Sequence, residues 1–530
     1  MCIFAFIEET VCMAAIKYPI GVQDFAKLRE GGYVYIDKTE YIHKLIANGN
    51  YYFLSRPRRF GKSLLLSTIE AFYKGRRELF DGLAISRHDY DWQPRPVFHL
   101  SLNKPVIEKR KDLEDKLNSF LREGAEIYGN DETSDNIALR FGGLIKKAYE
   151  TSGRKVVILV DEYDKPLLDA VDNTVLQDEL RSILRGFYSN LKDLDKYIEF
   201  AIFTGVTKFG KLSIFSDLNN LNDVSLDKAF DAICGLTEQD IRTYLDAGVA
   251  SLAAANDIDT DKAYAELKES YDGYHFAPDG CDIYNPFSII NALSKGVAGD
   301  YWFNTGTPTF LVKMIKAGQM KLRDLNSLEV PVGEISSVSF SLGDVVPVLY
   351  QSGYLTIKSF DREFQTVTLG FPNREVERGF MTQLLAIYTP LEESKAAFSI
   401  VQFVRDVREG RIDDFMKRLQ SLFAGYQYDQ MELGNLELHY RNVIYLVMKL
   451  MGYYTRAEMQ TSRGRIDLLV ATSDYIYIFE FKVDGTAAQA IKQINDRDYA
   501  GQFGADGRRV VKIGANFSGS ERGITDWIVE

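Results

Sequence analysis

Residues 55–63 read SRPRRFGKS, and the last three letters decide how the first half of the chain is read. Gly61-Lys62-Ser63 matches the end of the phosphate-loop pattern GxxxxGK[ST], but Arg56 stands where that pattern has its first glycine. On the tripeptide alone, a solvated basic turn is an equally good reading. The flanks favour the loop. Residues 51–55 (YYFLS) are β-rich, and 63–73 (SLLLSTIEAFY) have helical length and content, so the tripeptide lies between a strand and a helix. In that arrangement backbone N–H groups and a helix N-terminus face phosphate oxygens. Gly61 would shape the turn, Lys62 would reach the β- and γ-phosphates of ATP, and the Ser63 hydroxyl would ligate Mg2+. Pro57 removes one N–H donor, so a loop without the first glycine needs a different backbone path.

The second half of such a site lies downstream. Residues 155–164 (KVVILVDEYD) are an apolar run ending in carboxylates, as expected of a strand buried on both faces of a parallel sheet. Asp161 is then placed beside the metal and Glu162 where it polarises water. Residues 199–210 (EFAIFTGVTKFG) read as another buried strand, with Thr204 placed to sense the γ-phosphate. With a strand at 97–103 and a helix at about 174–192, strands alternate with helices and the fold class is α/β. This block is expected to span 15–235. A mostly helical region follows over 236–425, opening at Thr237-Glu238 and including a strand reading for LYQSGYLTIKSF at 349–360. A last α/β block runs over 430–530, with a helix at 436–451, strands at 465–471 and 475–483, and a helix from about Ala487.

That last block carries its own chemistry. Residues 463–482 read RGRIDLLVATSDYIYIFEFK: Asp467 opens one apolar strand, and Glu480-Phe481-Lys482 closes the next. Residues two apart in a strand share a face, so Glu480 and Lys482 point the same way. Carboxylates from adjacent strands suit Mg2+, a hard cation, and a lysine offsets charge on an attacked phosphodiester. Glu-X-Lys also arises on exposed hairpins, and the residues alone leave both readings open.

Composition narrows the function classes. The 530 residues carry a net charge of -12, which argues against sequence-blind attraction to nucleic acid or anionic membranes while allowing a local basic groove. Four cysteines (Cys2, Cys12, Cys234, Cys281), none closely paired, indicate neither a zinc cluster nor a disulfide framework and fit the cytoplasm. Glu8 and Glu9 interrupt the apolar opening, so a signal peptide is rejected, and Met13 is read as the natural start. No apolar stretch is long enough for a membrane span. The five histidines are scattered along the chain, which disfavours histidine-based metalloenzyme chemistry. His275 and His439 are expected to hydrogen-bond within the fold.

YIDKT at 35–39, RPRRFGKS at 56–63, LVDEYDKP at 159–166, FTGVTKFGKLSIFSDLNNLND at 203–223, and YDGYHF with YNPFS at 271–288 resemble the AAA-ATPase-like family. In that family an arginine-rich loop lacking its first glycine is usual, and bacteria commonly fuse the ATPase to a PD-(D/E)XK nuclease-like domain. The resemblance implies ATP and Mg2+ as cofactors, with Arg58, Arg59 and Arg185 as candidate charge stabilisers. The C-terminal segment is similar to the nuclease superfamily. There, Glu437 matches a helix glutamate and Gln493 a glutamine on the following helix, while Glu458 is expected to serve the surface. Ile466 replaces the superfamily's proline. What the resemblance implies is an ATPase joined to a metal-dependent nuclease acting on nucleic acid. The alternative is an ATP-driven switch whose nuclease-like domain binds nucleic acid or protein without cutting. A homo-oligomer is compatible with either.

Overall fold

The structure is a computed structural model that describes residues 16–530 except 105, 130–133, 171–172, 209–213, 216–217, 219, 306–321, 323–324, 326, 337–344, 424–432, 453–455, 459–466, 505–506 and 522. Met13, read above as a start, lies outside the described residues. The chain divides into two compact units, Met1–Trp302 with Glu329–Thr368, and Phe303–Leu328 with Leu369–Glu530. The helical stretch at 236–425 is therefore shared between them.

In the first unit, β1 (Tyr51–Ser55), β2 (Val97–Ser101), β3 (Val156–Asp161), β4 (Ile198–Gly205) and β5 (Asn222–Asp223) form a parallel sheet in the order β2-β3-β4-β1-β5. Every residue of β3 is buried, as its uninterrupted apolar sequence requires. On one face, Phe53, Phe98, Ile158, Val160 and Phe203 pack with leucines and aromatics of the helices Arg110–Tyr128, Ile137–Ser152 and Thr174–Ser189. The register pairs Ser55 with Gly205 and Ser101 with Asp161, so the ends of β1, β3 and β4 share one level at the carboxyl edge of the sheet. Ligands of open parallel sheets bind at that edge.

Helices dominate the chain after β5. Thr237 caps the helix Glu238–Tyr244 with a capping box to Asp240, at the helix start expected from Thr237-Glu238. Strands β6 (Leu328–Pro331), β7 (Thr356–Asp361) and β8 (Thr366–Gly370) pair in the order β6-β8-β7. The strand reading of 349–360 needs correction: the segment Val345–Gln351 is helical, and extended structure begins only at Thr356. Six of its seven residues are buried, so no polar face marks it as a helix, and a helix that short leaves little periodicity to read.

In the second unit, β9 (Arg456–Glu458), β10 (Leu468–Ala471), β11 (Tyr475–Val483), β12 (Arg509–Ser518) and β13 (Gly523–Val529) form a mixed sheet in chain order. Strand β11 is covered on both faces. Ile476 and Ile478 pack on Ile491 and Ile494 of the helix Ala487–Asp496, while the Phe479 ring meets Phe415 and the Tyr477 hydroxyl donates to the Val407 carbonyl. Among the described residues no helix is long and apolar enough to cross a membrane.

Candidate functional site

The loop between β1 and the helix Lys62–Tyr73 is built around two left-handed residues, Arg59 (φ 67°) and Gly61 (φ 99°). Gly61 adopts that backbone freely and sits at the helix N-cap, where it has no side chain to occupy the first N–H groups. Nothing at position 56 calls for glycine. Instead the Arg56 guanidinium, 1 % exposed, donates to the carbonyls of Ser55, Ser225, Phe230 and Asp231 and lies 4.3 Å over the Phe276 ring. Burial lowers its pKa from the ordinary arginine value. The unusual loop is thus moulded by a buried cation held on backbone oxygens.

Lys62 is buried and donates to the carbonyls of Arg56 (2.8 Å) and Pro57 (3.0 Å). At the next residue, Ser63 Oγ donates to Asp161 Oδ2 at 2.6 Å, and Thr204 Oγ1 donates to Asp161 Oδ1 at 2.7 Å. Two adjacent strands and the loop helix therefore converge on one carboxylate. This oxygen set suits Mg2+, which takes one or two carboxylates together with substrate phosphates. Glu162 is half-buried in a left-handed backbone (φ 54°), a conformation that costs a non-glycine residue about 1–3 kcal/mol and clusters at functional sites. Burial raises the pKa of its carboxyl, opposed by the nearby Lys62 charge.

Asp164 carries a role that the sequence reading left unassigned. Its buried carboxylate accepts from Val206 N (3.0 Å), Thr207 N (2.7 Å) and Thr207 Oγ1 (2.8 Å), stapling the end of β3 to the segment after β4. A Cβ at Gly205 would stand 2.6 Å from Asp164 Oδ1, so the close approach requires glycine there. The signal was present as the second aspartate of DEYD, in a run otherwise apolar. The arginines separate. The Arg58 guanidinium faces the Trp302 ring at 5.3 Å, exposed Arg59 lies 5.1 Å over Phe287, and Arg185 is exposed on the helix Thr174–Ser189. His275 Nδ1 contacts the Ile357 carbonyl at 3.2 Å.

In the second unit, Leu468 pairs with Phe479, and Phe481 N donates to Asp467 Oδ2 at 2.9 Å, which sets Asp467 across from Glu480. Glu480, 2 % exposed, continues the Ile476–Ile478 face of β11 under the helix that bears Gln493. Gln493 Nε2 and Lys482 Nζ (3.2 Å) both donate to Glu480 Oε1, and Lys482 Nζ donates to Gln493 Oε1 at 2.6 Å. Glu480 Oε2 is buried with no hydrogen-bond partner. Burial, reinforced by the Asp467 charge, pushes the Glu480 carboxyl up to about 7. A buried oxygen without a donor, facing a second carboxylate, is what a hard divalent cation would satisfy. Glu437 lies on the helix Leu433–Met451 and Glu458 on β9, but their side chains fall outside the described residues. His439 is buried against Tyr388 and Phe423, and burial lowers its pKa to about 4.

Comparison with known proteins bears on both sites. The family model described as predicted AAA-ATPase matches residues 19–215, and that of the PD-(D/E)XK nuclease superfamily matches 435–527. A protein of Azotobacter chroococcum mcd 1, described as an uncharacterized protein in the vnfD 5' region, is 36% identical over 534 residues, covering 98% of this chain and 99% of the relative. The chain belongs to the AAA-ATPase-like family, with a C-terminal domain of the PD-(D/E)XK nuclease superfamily. In this AAA-ATPase-like chain the two matched regions contain the two clusters described above.

Glu480 supplies a pH test in metal-free buffer. Its folded pKa, about 7, exceeds the ordinary value of 4.5, so the unfolded chain ionises it first. The destabilisation is absent below pH 4.5, grows as pH rises toward 7 and is constant above. At about 1.4 kcal/mol per decade of acidity its ceiling is about 3 kcal/mol. Glu480→Gln is therefore expected to gain stability over wild type between pH 5 and pH 8 in EDTA. Parallel pH dependences of the two denaturation midpoints would show that Glu480 titrates normally.

Proposed function

We propose that the N-terminal domain binds and hydrolyses ATP, and that its nucleotide state governs a divalent-dependent nuclease in the C-terminal domain. The observation that supports this reading is that one chain holds two sites, each with a carboxylate set suited to Mg2+ and a lysine suited to phosphate. At the first site, Lys62 exchanges its two loop carbonyls for the β- and γ-phosphates. Ser63 and Asp161 are the ligands for Mg2+, Glu162 orients water and accepts its proton, and Thr204, whose one hydroxyl hydrogen goes to Asp161, holds that ligand in place. At the second, Asp467 and Glu480 are the ligands, with Glu437 contributed by the superfamily resemblance. Bound Mg2+ supplies charge stabilisation and a more acidic water. Lys482 offsets charge on the attacked phosphodiester, and Gln493 keeps Lys482 and Glu480 in register. Arg58, Arg59 and Arg185 are assigned no step. The setting is a bacterial cytoplasm, the polymer DNA or RNA.

Glu162→Gln is expected to retain ATP binding and lose at least about 100-fold in phosphate release, because amide nitrogen accepts no proton. Unchanged turnover would assign the base elsewhere. The reading as a whole is tested by incubating the protein with DNA and RNA, with and without ATP and Mg2+ or Mn2+. A second reading, an ATP-driven switch that binds without cutting, is favoured by the hydrogen bonds that Lys482 and Gln493 both place on Glu480 Oε1. Wild type that cuts nothing in every condition would select it.

A further inference from the structure

Two of the five histidines, distant in sequence, meet in space. The His43 and His88 rings stack with centroids 3.5 Å apart and planes 9° from parallel. His43 lies three residues after Glu40 on the helix Thr39–Asn48, so both side chains leave the same helical face. His88 Nε2 stands 3.1 Å from Glu40 Oε2. Among the described residues this is the single group of three carboxylate, histidine or cysteine side chains whose donor atoms all lie within 4.8 Å of one another. Glu40 is exposed and the two histidines are half-buried, so an ion has access from solvent.

We propose that Glu40, His43 and His88 form a transition-metal site of the Zn2+ class. Two imidazoles and a carboxylate are a donor set for zinc rather than for magnesium. The Tyr90 hydroxyl contacts His43 Nδ1 at 2.7 Å, which leaves Nε2 as the metal-facing nitrogen and fixes the ring by an outer hydrogen bond, the usual support of a metal-bound histidine. Donors around a tetrahedral ion at about 2.1 Å lie about 3.4 Å apart, so the group closes by at most about 1.4 Å, through rotation of the stacked rings. The backbone on both sides is already fixed. Asp37 Oδ2 accepts from Ala84 N at 2.7 Å, and Thr39 Oγ1 accepts from Ile85 N at 3.1 Å, which join the start of the helix to the turn Ala84–Arg87 just before His88. The fourth position faces solvent and takes water. Bound metal would pin this helix to the segment whose Tyr90 packs on Phe72, near the end of the phosphate-loop helix.

The test is zinc titration against a competing chelator dye, with Co2+ absorption as a second probe of coordination. Full-length wild type, His43→Ala, His88→Ala, Glu40→Gln, Tyr90→Phe and Glu480→Gln are compared. The expected result is one zinc ion whose affinity falls at least tenfold in each histidine variant and in Glu40→Gln. Tyr90→Phe loses about tenfold through the outer hydrogen bond. Glu480→Gln keeps this ion, which separates it from the C-terminal carboxylates. Equal stoichiometry and affinity in both histidine variants would overturn the proposal. So would loss of the ion in Glu480→Gln alone. Glu40→Gln, an exposed and shape-conserving change, keeps the test decisive if an alanine variant misfolds. The outcome is independent of the ATPase and nuclease readings.

Discussion

Lys62→Ala is expected to weaken ATP binding at least 100-fold while the fold survives. The lysine is buried, yet its partners are two carbonyls of its own loop, those of Arg56 and Pro57. Alanine forfeits two charge-assisted bonds but also removes a buried charge whose desolvation they offset, so the net cost to the fold is about 1–3 kcal/mol, which a domain of this size tolerates. Binding suffers more, because the ammonium is the loop's own cation for two phosphate groups. Charge-assisted hydrogen bonds contribute about 1.5–3 kcal/mol each, so losing two corresponds to at least two decades of affinity. Titration of a fluorescent ATP analogue reads the effect, and a thermal midpoint within a few degrees of wild type shows that the fold persists. Equal affinities would mean that Gly61-Lys62-Ser63 is not the phosphate loop.

At the C-terminal site the three charged residues should separate by what they do. Asp467→Ala and Glu480→Ala each remove a ligand, and both divalent binding and cleavage should disappear. Lys482→Ala removes no ligand. It frees Glu480 Oε1 from one of its two donors, so divalent binding should persist, while cleavage falls about 100- to 1,000-fold for want of a cation at the attacked phosphate. Calorimetric Mn2+ titration and a gel assay on DNA and RNA read the two quantities separately. ATP affinity should be unchanged in all three. If wild type cuts and Lys482→Ala cuts equally well, these residues are not the nuclease centre.

Elements with strong local signals were legible. The β3 run, the helix after Gly61 and β11 each stand where hydrophobic pattern and turn chemistry put them, and Thr237-Glu238 marked a helix start to the residue, whereas β10 begins at Leu468, one residue after the Asp467 expected to open it. Strand order was not legible: β4 lies between β1 and β3, and its pairing with β1 joins residues more than a hundred positions apart, which no local pattern encodes. Arg56 was invisible for a different reason. Its hydrogen bonds run to main-chain carbonyls, which leave no side-chain signature in the sequence. The His43–His88 pair escaped because the two lie on elements that only the tertiary fold brings together. At the C-terminal site the pairing of β10 with β11 could be read, but the linking of Lys482 to Gln493 depends on how the following helix packs.

Arg56 also sets how a change in the loop travels. One guanidinium grips the base of the phosphate loop and, on its far side, the carbonyls of Ser225, Phe230 and Asp231. Just beyond that segment the chain reaches Leu236, which bridges to Tyr284. A loop displaced by an incoming triphosphate would have either to break these bonds or to carry residues 225–231 with it. Because the cation is buried, the first course strands a charge away from water and is the costlier one. On the nucleotide-binding reading proposed above, a movement of the loop would therefore be passed on through its floor as well as through the helix that follows it.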